Sequence, residues 1–177
     1  MTKTNTTLIA DATVLLKPEG NLPEGFRIEV STPVHESQLA ALWFNAYPPE
    51  IATDIDCAKQ EIRDMFAGEY GRFWPEASPL ILFNNELVAG ICTVVKAPWD
   101  KTPTCPFIID LMVHPDFRRK GLAAYLIQEA ARAVLRGGKT HMALRVQVDN
   151  TAAITLYRKL GFIDWDGKLF AQKERSK

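Results

Sequence analysis

The chain has 177 residues, 47% apolar and 24% charged, a balance that supports one folded domain with a substantial core and argues against disorder. Lysine plus arginine (21) equals aspartate plus glutamate (21), so no global positive field draws the chain to nucleic acid or to anionic lipid, and any anion site must be local. Three scattered cysteines (Cys57, Cys92, Cys105), no Cys-x-x-Cys pair and no apolar stretch of about 18 residues argue against a zinc site, a disulfide framework, secretion or a membrane span, and point to the cytoplasm.

Residues 1–25 read as an N-terminal extension suited to adding an edge strand, polar except for the short run ATVLL, which closes on the turn residues of KPEGNLPEG. FRIEVS alternates at period two, as a half-buried strand does. TPVHESQLAALWFNAYPPE predicts a helix with Thr32 as N-cap and Pro33 at its first position; Leu39, Leu42, Trp43 and Ala46 share a face, and Pro48–Pro49 ends it. A second helix is expected across DIDCAKQEIRDMFAG, with Ile55, Ala58, Ile62, Met65 and Phe66 at helical spacing and Gly68 beyond its end. SPLILFNNELVAGICTVVKAP reads as a hairpin turning at Asn84–Asn85. CPFIIDLMV is apolar without clean alternation, as expected of a strand covered on both faces.

A basic turn, RRKGLA, then leads into the helical stretch AYLIQEAARAVL, followed by a strand (HMALRVQV) and a helix (NTAAITLYRKL) closed by Gly161. FIDWDGKLFAQ predicts a last hairpin with Asp166–Gly167 at its turn. The order β-α-α-β-β-β-α-β-α-β-β makes residues 26–177 a single α/β domain of mixed order: a central mixed sheet of about six or seven strands flanked by about four helices, with crossovers joining parallel strands in its middle.

RRKGLA sits where strand gives way to helix, and that position gives it chemistry. A helix starting near Gly121 leaves about four backbone N–H groups without intrahelical partners, at the positive end of the helix dipole. Gly121 permits positive φ and close approach of a ligand, Ala123 leaves room, and Arg118, Arg119 and Lys120 supply charge that suits phosphate. RGGKT at 136–140 mimics the tail of a P-loop, but Ala133 stands where its first glycine should be; Gly137 and Gly138 end a helix instead of opening one.

Arg118-x-x-Gly121-x-Ala123 after LMVHP resembles the Q/R-x-x-G-x-G/A signature of the GNAT superfamily of N-acetyltransferases. Further on, VDNTAAITLYRKLGF resembles that family's second motif, with Asn150, Ala153, Tyr157, Gly161 and Phe162 at the expected positions. The resemblance covers roughly residues 26 to 172. It implies a GNAT-like fold with splayed parallel strands at the cofactor site, acetyl-CoA as cosubstrate and no metal. It places Met112, Val113, Arg118, Arg119, Lys120, Gly121, Leu122, Ala123, Asn150, Ala153 and Tyr157 against the cofactor, with the backbone of Met112 and Val113 along its pantetheine arm.

The implied reaction is direct transfer of acetyl, or another short acyl group, to a primary amine on a small molecule, amino acid, peptide or protein. A homodimer is compatible with it. Tyr157, seven residues after Asn150 on one helical face, is the candidate acid. Asp110, a carboxylate among Ile108, Ile109, Leu111 and Met112, is the candidate base, because burial raises a carboxyl pKa; its structural alternative is an ion pair with Arg145. Asn150 also suits an N-cap, and His114 beside Pro115 reads as a turn residue. The acceptor is expected near Trp43, Tyr47, Glu50, Tyr70 and Trp74. The alternative function is a non-catalytic acyl-CoA-binding module.

Overall fold

The computed structural model describes residues 4–17 and 20–171. Seven strands form one sheet in the order β2-β3-β4-β5-β6-β1-β7: β1 (Asn5–Asp11), β2 (Phe26–Val30), β3 (Pro79–Phe83), β4 (Glu86–Val94), β5 (Phe107–Val113), β6 (His141–Gln147) and β7 (Ile163–Asp164). The helices are α1 (Glu36–Ala46), α2 (Ile55–Ala67), α3 (Leu122–Arg136) and α4 (Thr151–Leu160). Among the described residues, no helix is long and apolar enough to cross a membrane.

The local signals explain most of these boundaries. Asp54 caps α2 by accepting from the Cys57 amide at 2.8 Å, and Gly68 ends it at φ 88°. Asn84 (φ 50°) and Asn85 (φ 67°) both take the left-handed conformation that a tight β3–β4 turn requires. Thr32 begins a 3-10 turn over Pro33–His35, so α1 starts at Glu36, a few residues later than the proline predicts. Gly137 and Gly138 follow α3 as its stop, with the Gly138 amide on the Leu135 carbonyl.

Alternation along the central strands divides the core into two layers. Leu80, Leu82, Cys92 and Met112 face α1 and α2, against Leu39, Leu42, Trp43, Ala58, Ile62 and Met65. Ile81, Ala89, Ile91 and Ile108 face the opposite way, against Leu122, Leu126, Ile127 and Ala130 of α3 and Leu160 of α4. Each fully buried Leu or Ile contributes about 1.5–3 kcal/mol relative to leaving it in water.

Two expectations at the chain ends are refined. The N-terminal extension adds a strand, Asn5–Asp11, but between β6 and β7 and not at the edge, and Asp11 then turns the chain by accepting from the Thr13 amide and hydroxyl at 2.8 and 2.6 Å. Ala12 and Leu15 of the ATVLL run are buried under the sheet as core. At the other end the Asp166–Gly167 turn forms, with the Lys168 and Leu169 amides on Asp166, but no return strand follows it among the described residues. β7 pairs with β1 instead, and the chain beyond the turn is held by the Thr104 amide on the Phe170 carbonyl at 2.7 Å.

The feature that makes a site lies in the middle of the sheet. β5 and β6 run parallel, but their pairing covers only Phe107↔Ala143 and Ile108↔Leu144. Immediately afterwards the β4–β5 register steps from Thr93↔Ile108 to Cys92↔Asp110, so Ile109 is an extra residue, a β-bulge. A bulge bends its strand and increases local twist. From Ile109 onward β5 leans away from β6, and the sheet opens as a V between the two strands.

Candidate active site

The turn after β5 meets the opening from the α3 side. His114 accepts from the Asp116 amide at 3.2 Å and starts a 3-10 turn over Pro115–Phe117, as its place beside a proline predicts. Arg119 (φ 61°) and Gly121 (φ 77°) are both left-handed, and α3 begins at Leu122. The first intrahelical bond runs from the Tyr125 amide to the Gly121 carbonyl at 3.1 Å, so the amides ahead of it lack helical acceptors. Gly121 supplies no side-chain cap, and a Cβ built on it meets nothing within 4 Å. Backbone conformation, not packing, demands the glycine, and the space above these amides is open.

Arg119 and Lys120 are exposed beside this space, whereas Arg118 is committed to the protein. Its Nε donates to the Val113 carbonyl (3.2 Å) and its Nη2 to the Ala46 carbonyl (2.9 Å). Arg118 therefore braces the end of β5 against the end of α1. Leu122 is buried and anchors the first turn, and Ala123 is half-buried.

The strand edge refines the expectation for the pantetheine arm. The His114 amide bonds the Val88 carbonyl at 2.8 Å, and backbone groups alternate sides along an antiparallel ladder. Met112 and Asp110 thus turn their peptide groups toward β4, while Leu111 and Val113 turn theirs toward the opening. Met112 contributes a buried side chain to the α1–α2 layer instead. The Val113 carbonyl is already occupied by Arg118, so its amide and the peptide groups of Leu111 are the available edge.

On the other arm of the V, Asn150 caps α4 by accepting from the Ala153 amide at 3.2 Å. Two turns down, Tyr157 is buried, with its ring edge-on to Phe162 at 5.7 Å, and its hydroxyl bonds none of the described residues. Burial first, and then the negative charge of Asp110, push its pKa up to about 12. Tyr157 belongs to the α3–α4 layer, and Asp110 to the strand beside the opening.

The bulge turns Asp110 toward the α1–α2 layer. Pro48 and Pro49 stop α1, leaving Tyr47 extended (φ −94°, ψ 150°), and its hydroxyl donates to Asp110 Oδ1 at 2.5 Å. Desolvation raises the Asp110 pKa to about 6; the Tyr47 hydrogen bond opposes the rise, Glu61 adds to it, and Trp43 opposes it more weakly. Asp110 nonetheless keeps partial contact with solvent through the opening. Tyr47 is itself held far above the usual phenol range by burial and by that carboxylate. The ion-pair alternative with Arg145 is not realised: β5 and β6 have parted by this point, and the Arg145 guanidinium lies over Trp99 at 5.9 Å.

Around this carboxylate stand residues that no short sequence window groups together. Tyr70 donates to Glu61 at 2.7 Å, and its pKa is raised by desolvation and by that bond. Trp99, from the β4–β5 connection, lies 6.2 Å from the Tyr70 ring and 5.9 Å from Phe107. The rings of Trp43 and Tyr47 lie 4.9 Å apart on this face, with Trp43 buried in its core. Trp74 packs beside Gly137 at the end of α3, on the opposite face. Glu50 is exposed in the loop after α1. Cys92, opposite Asp110 in the ladder, has its thiol pKa driven up by burial, and Cys105 is pushed up to about 12 by the same cause; neither is a thiolate nucleophile.

The Tyr47–Asp110 bond makes a measurable prediction. Tyr47→Phe removes the hydrogen bond that holds the Asp110 pKa down, so the carboxyl should titrate about one unit above its wild-type value, followed by carbon NMR of the side-chain carboxyl. An unchanged titration would contradict the pairing.

Comparison with known proteins agrees with this arrangement. Residues 39–162 match the Acetyltransferase (GNAT) family. N-alpha-acetyltransferase 30 of Xenopus laevis is 32% identical over 98 residues, 55% of this chain and 35% of that protein. N-alpha-acetyltransferase MAK3 of Arabidopsis thaliana is 29% identical over 117 residues, 65% of this chain and 60% of that protein, so the matched region spans less than two thirds of either relative. Aminoglycoside N-acetyltransferase AAC(6')-Iy, solved in complex with CoA, superposes with a TM-score of 0.62 at 18% identity, over 90% of this chain and all (100%) of that one. A V-shaped sheet, a glycine-started helix at its mouth and a sequence match over most of the domain lead to one conclusion: the chain belongs to the GNAT family of acetyltransferases.

Proposed function

We propose that this protein transfers an acetyl group from acetyl-CoA to a primary amine, with the two substrates meeting in the opening between β5 and β6. What supports this reading is the parting of β5 from β6 after Ile108, with the open amides at the start of α3 and the Tyr157 hydroxyl on one side and the Tyr47–Asp110 pair on the other. Acetyl-CoA, when bound, supplies the thioester. The chain fits it on the α3–α4 side: open amides at the start of α3, Arg119 and Lys120 beside them, and the free edge of β5 at Leu111 and Val113. Asn150 fixes the start of α4, and so the position of Tyr157, by capping.

The proton inventory follows from the two shifted groups. Above pH 6 Asp110 is ionised and accepts, directly or through water, the proton that the neutral amine loses as it attacks. The amine nitrogen bonds to the acetyl carbon, the carbon–sulfur bond breaks, and the sulfur leaves as thiolate beside the Tyr157 hydroxyl. Tyr157 remains protonated at neutral pH and donates to that sulfur. Once Asp110 is neutralised, the charge that helped hold the Tyr157 proton is gone, so Tyr157 becomes a better acid at the moment it is needed. The raised thiols of Cys92 and Cys105 favour direct attack over an acyl-cysteine intermediate.

The test is amine-dependent release of free thiol from acetyl-CoA, with mass spectrometry of the amine product. A product heavier by one acetyl group supports the reading. Tight binding of acetyl-CoA with no amine-dependent release across a broad panel would contradict it and favour a binding module.

A further inference from the structure

Arg145 lies across the opening from Asp110. It projects from β6 on the α1–α2 side: Ala143, two residues earlier on the same face, packs with Phe107, which also touches Trp99. Its guanidinium carbon is 5.9 Å from the centroid of the Trp99 ring. Arg145 is exposed, and among the described residues it has no carboxylate partner. A guanidinium this close to an indole ring is drawn by the ring's quadrupole, and with no carboxylate partner among the described residues it keeps N–H donors for contact with an anion.

The surroundings give those donors a direction. Arg145 lies against Trp99, Trp99 leads through Tyr70 to Glu61, and Asp110 is held by Tyr47, so an arginine and two carboxylates are strung along one group of aromatic side chains. An amine drawn to Asp110 and Glu61 therefore presents the rest of its molecule to Arg145. We propose that the acceptor is an amine that also bears an anionic group, a carboxylate or a phosphate, and that Arg145 holds the anion while Asp110 receives the amine. This rests on the acetyl-transfer reading above and narrows it from primary amines in general to zwitterionic ones. Arg145 is thus a specificity residue at the acceptor site.

The experiment uses the full chain and matched acceptors: amino acids against their carboxamides, and phosphoethanolamine against ethanolamine. For wild type, kcat/KM for the anionic member of at least one pair should exceed that of its neutral counterpart by about tenfold or more, the scale of one good charged contact. Arg145→Gln should erase that preference, mainly through KM, while neutral acceptors change little; Arg145→Lys should restore part of it. Preference in the carboxylate pair or in the phosphate pair identifies the anion. Equal turnover of both members of each pair by wild type, or an equal loss on both with Arg145→Gln, would overturn the inference and leave acetyl transfer standing. Absence of turnover with every acceptor, despite amine-dependent release being sought on the broad panel, would overturn both.

Discussion

Asp110→Asn is expected to lower kcat/KM by about 10²–10³-fold and at the same time to stabilise the fold, an opposition that a merely structural carboxylate would not produce. The side chain keeps its shape and still accepts from Tyr47, but it no longer takes a proton. The stability change has a definite sign. The folded pKa, about 6, lies above the ordinary 3.8, so between those values the folded state binds more protons than the unfolded state. The contribution of Asp110 is therefore fully present below about pH 4 and is lost as pH rises through 6; at neutral pH the ionised, desolvated carboxylate costs up to about 3 kcal/mol, which asparagine does not. Urea unfolding should show the Asp110→Asn variant more stable than wild type at pH 7.5 and equal to it near pH 4. The wild-type profile of kcat/KM should carry an acid limb near pH 6 that this variant lacks. Full activity in the variant would assign the proton to water.

The second large effect is expected from Gly121→Val, measured as loss of acetyl-CoA binding by about a hundredfold or more. No protein atom lies within 4 Å of a Cβ at this position, so steric clash is not the cause. Gly121 sits at φ 77°, which a β-branched residue adopts only under strain of about 1–2 kcal/mol. Relief of that strain rotates the peptide planes that carry the open amides, and the valine methyls occupy the space above them. Circular dichroism and thermal melting should show the fold retained. Unimpaired affinity in the folded variant would remove these amides from the cofactor site.

The parts of this molecule set by local rules were legible in the sequence. Asn84–Asn85 turns, Asp54 caps, Pro48–Pro49 stops a helix, and Gly121 takes the left-handed conformation at the strand-to-helix turn. What could not be read depends on register and on distance along the chain. FIIDLMV carries no sign that Ile109 is unpaired, yet that one residue opens the sheet and aims Asp110. Burial on both faces accounts for part of the missing alternation there; the bulge is the further cause. Tyr47 meets Asp110 across 63 residues, and Glu61, Tyr70, Trp99 and Arg145 converge only because α2, the β4–β5 connection and β6 meet at the same mouth. The contacts of Arg118 could not be read from its spacing: its guanidinium bonds the Val113 and Ala46 carbonyls. Strand β1 displaces the expected closing hairpin because it already occupies the edge of β6.

Whether the mouth of the β5–β6 opening holds acetyl-CoA is tested most directly by calorimetric titration. Wild-type protein should bind acetyl-CoA with micromolar affinity and ATP far more weakly, because ATP has no pantetheine arm to pair with the free edge of β5. Comparable affinities for the two would reduce the site to a phosphate cradle, and absence of acetyl-CoA binding by folded protein would contradict the account at its base.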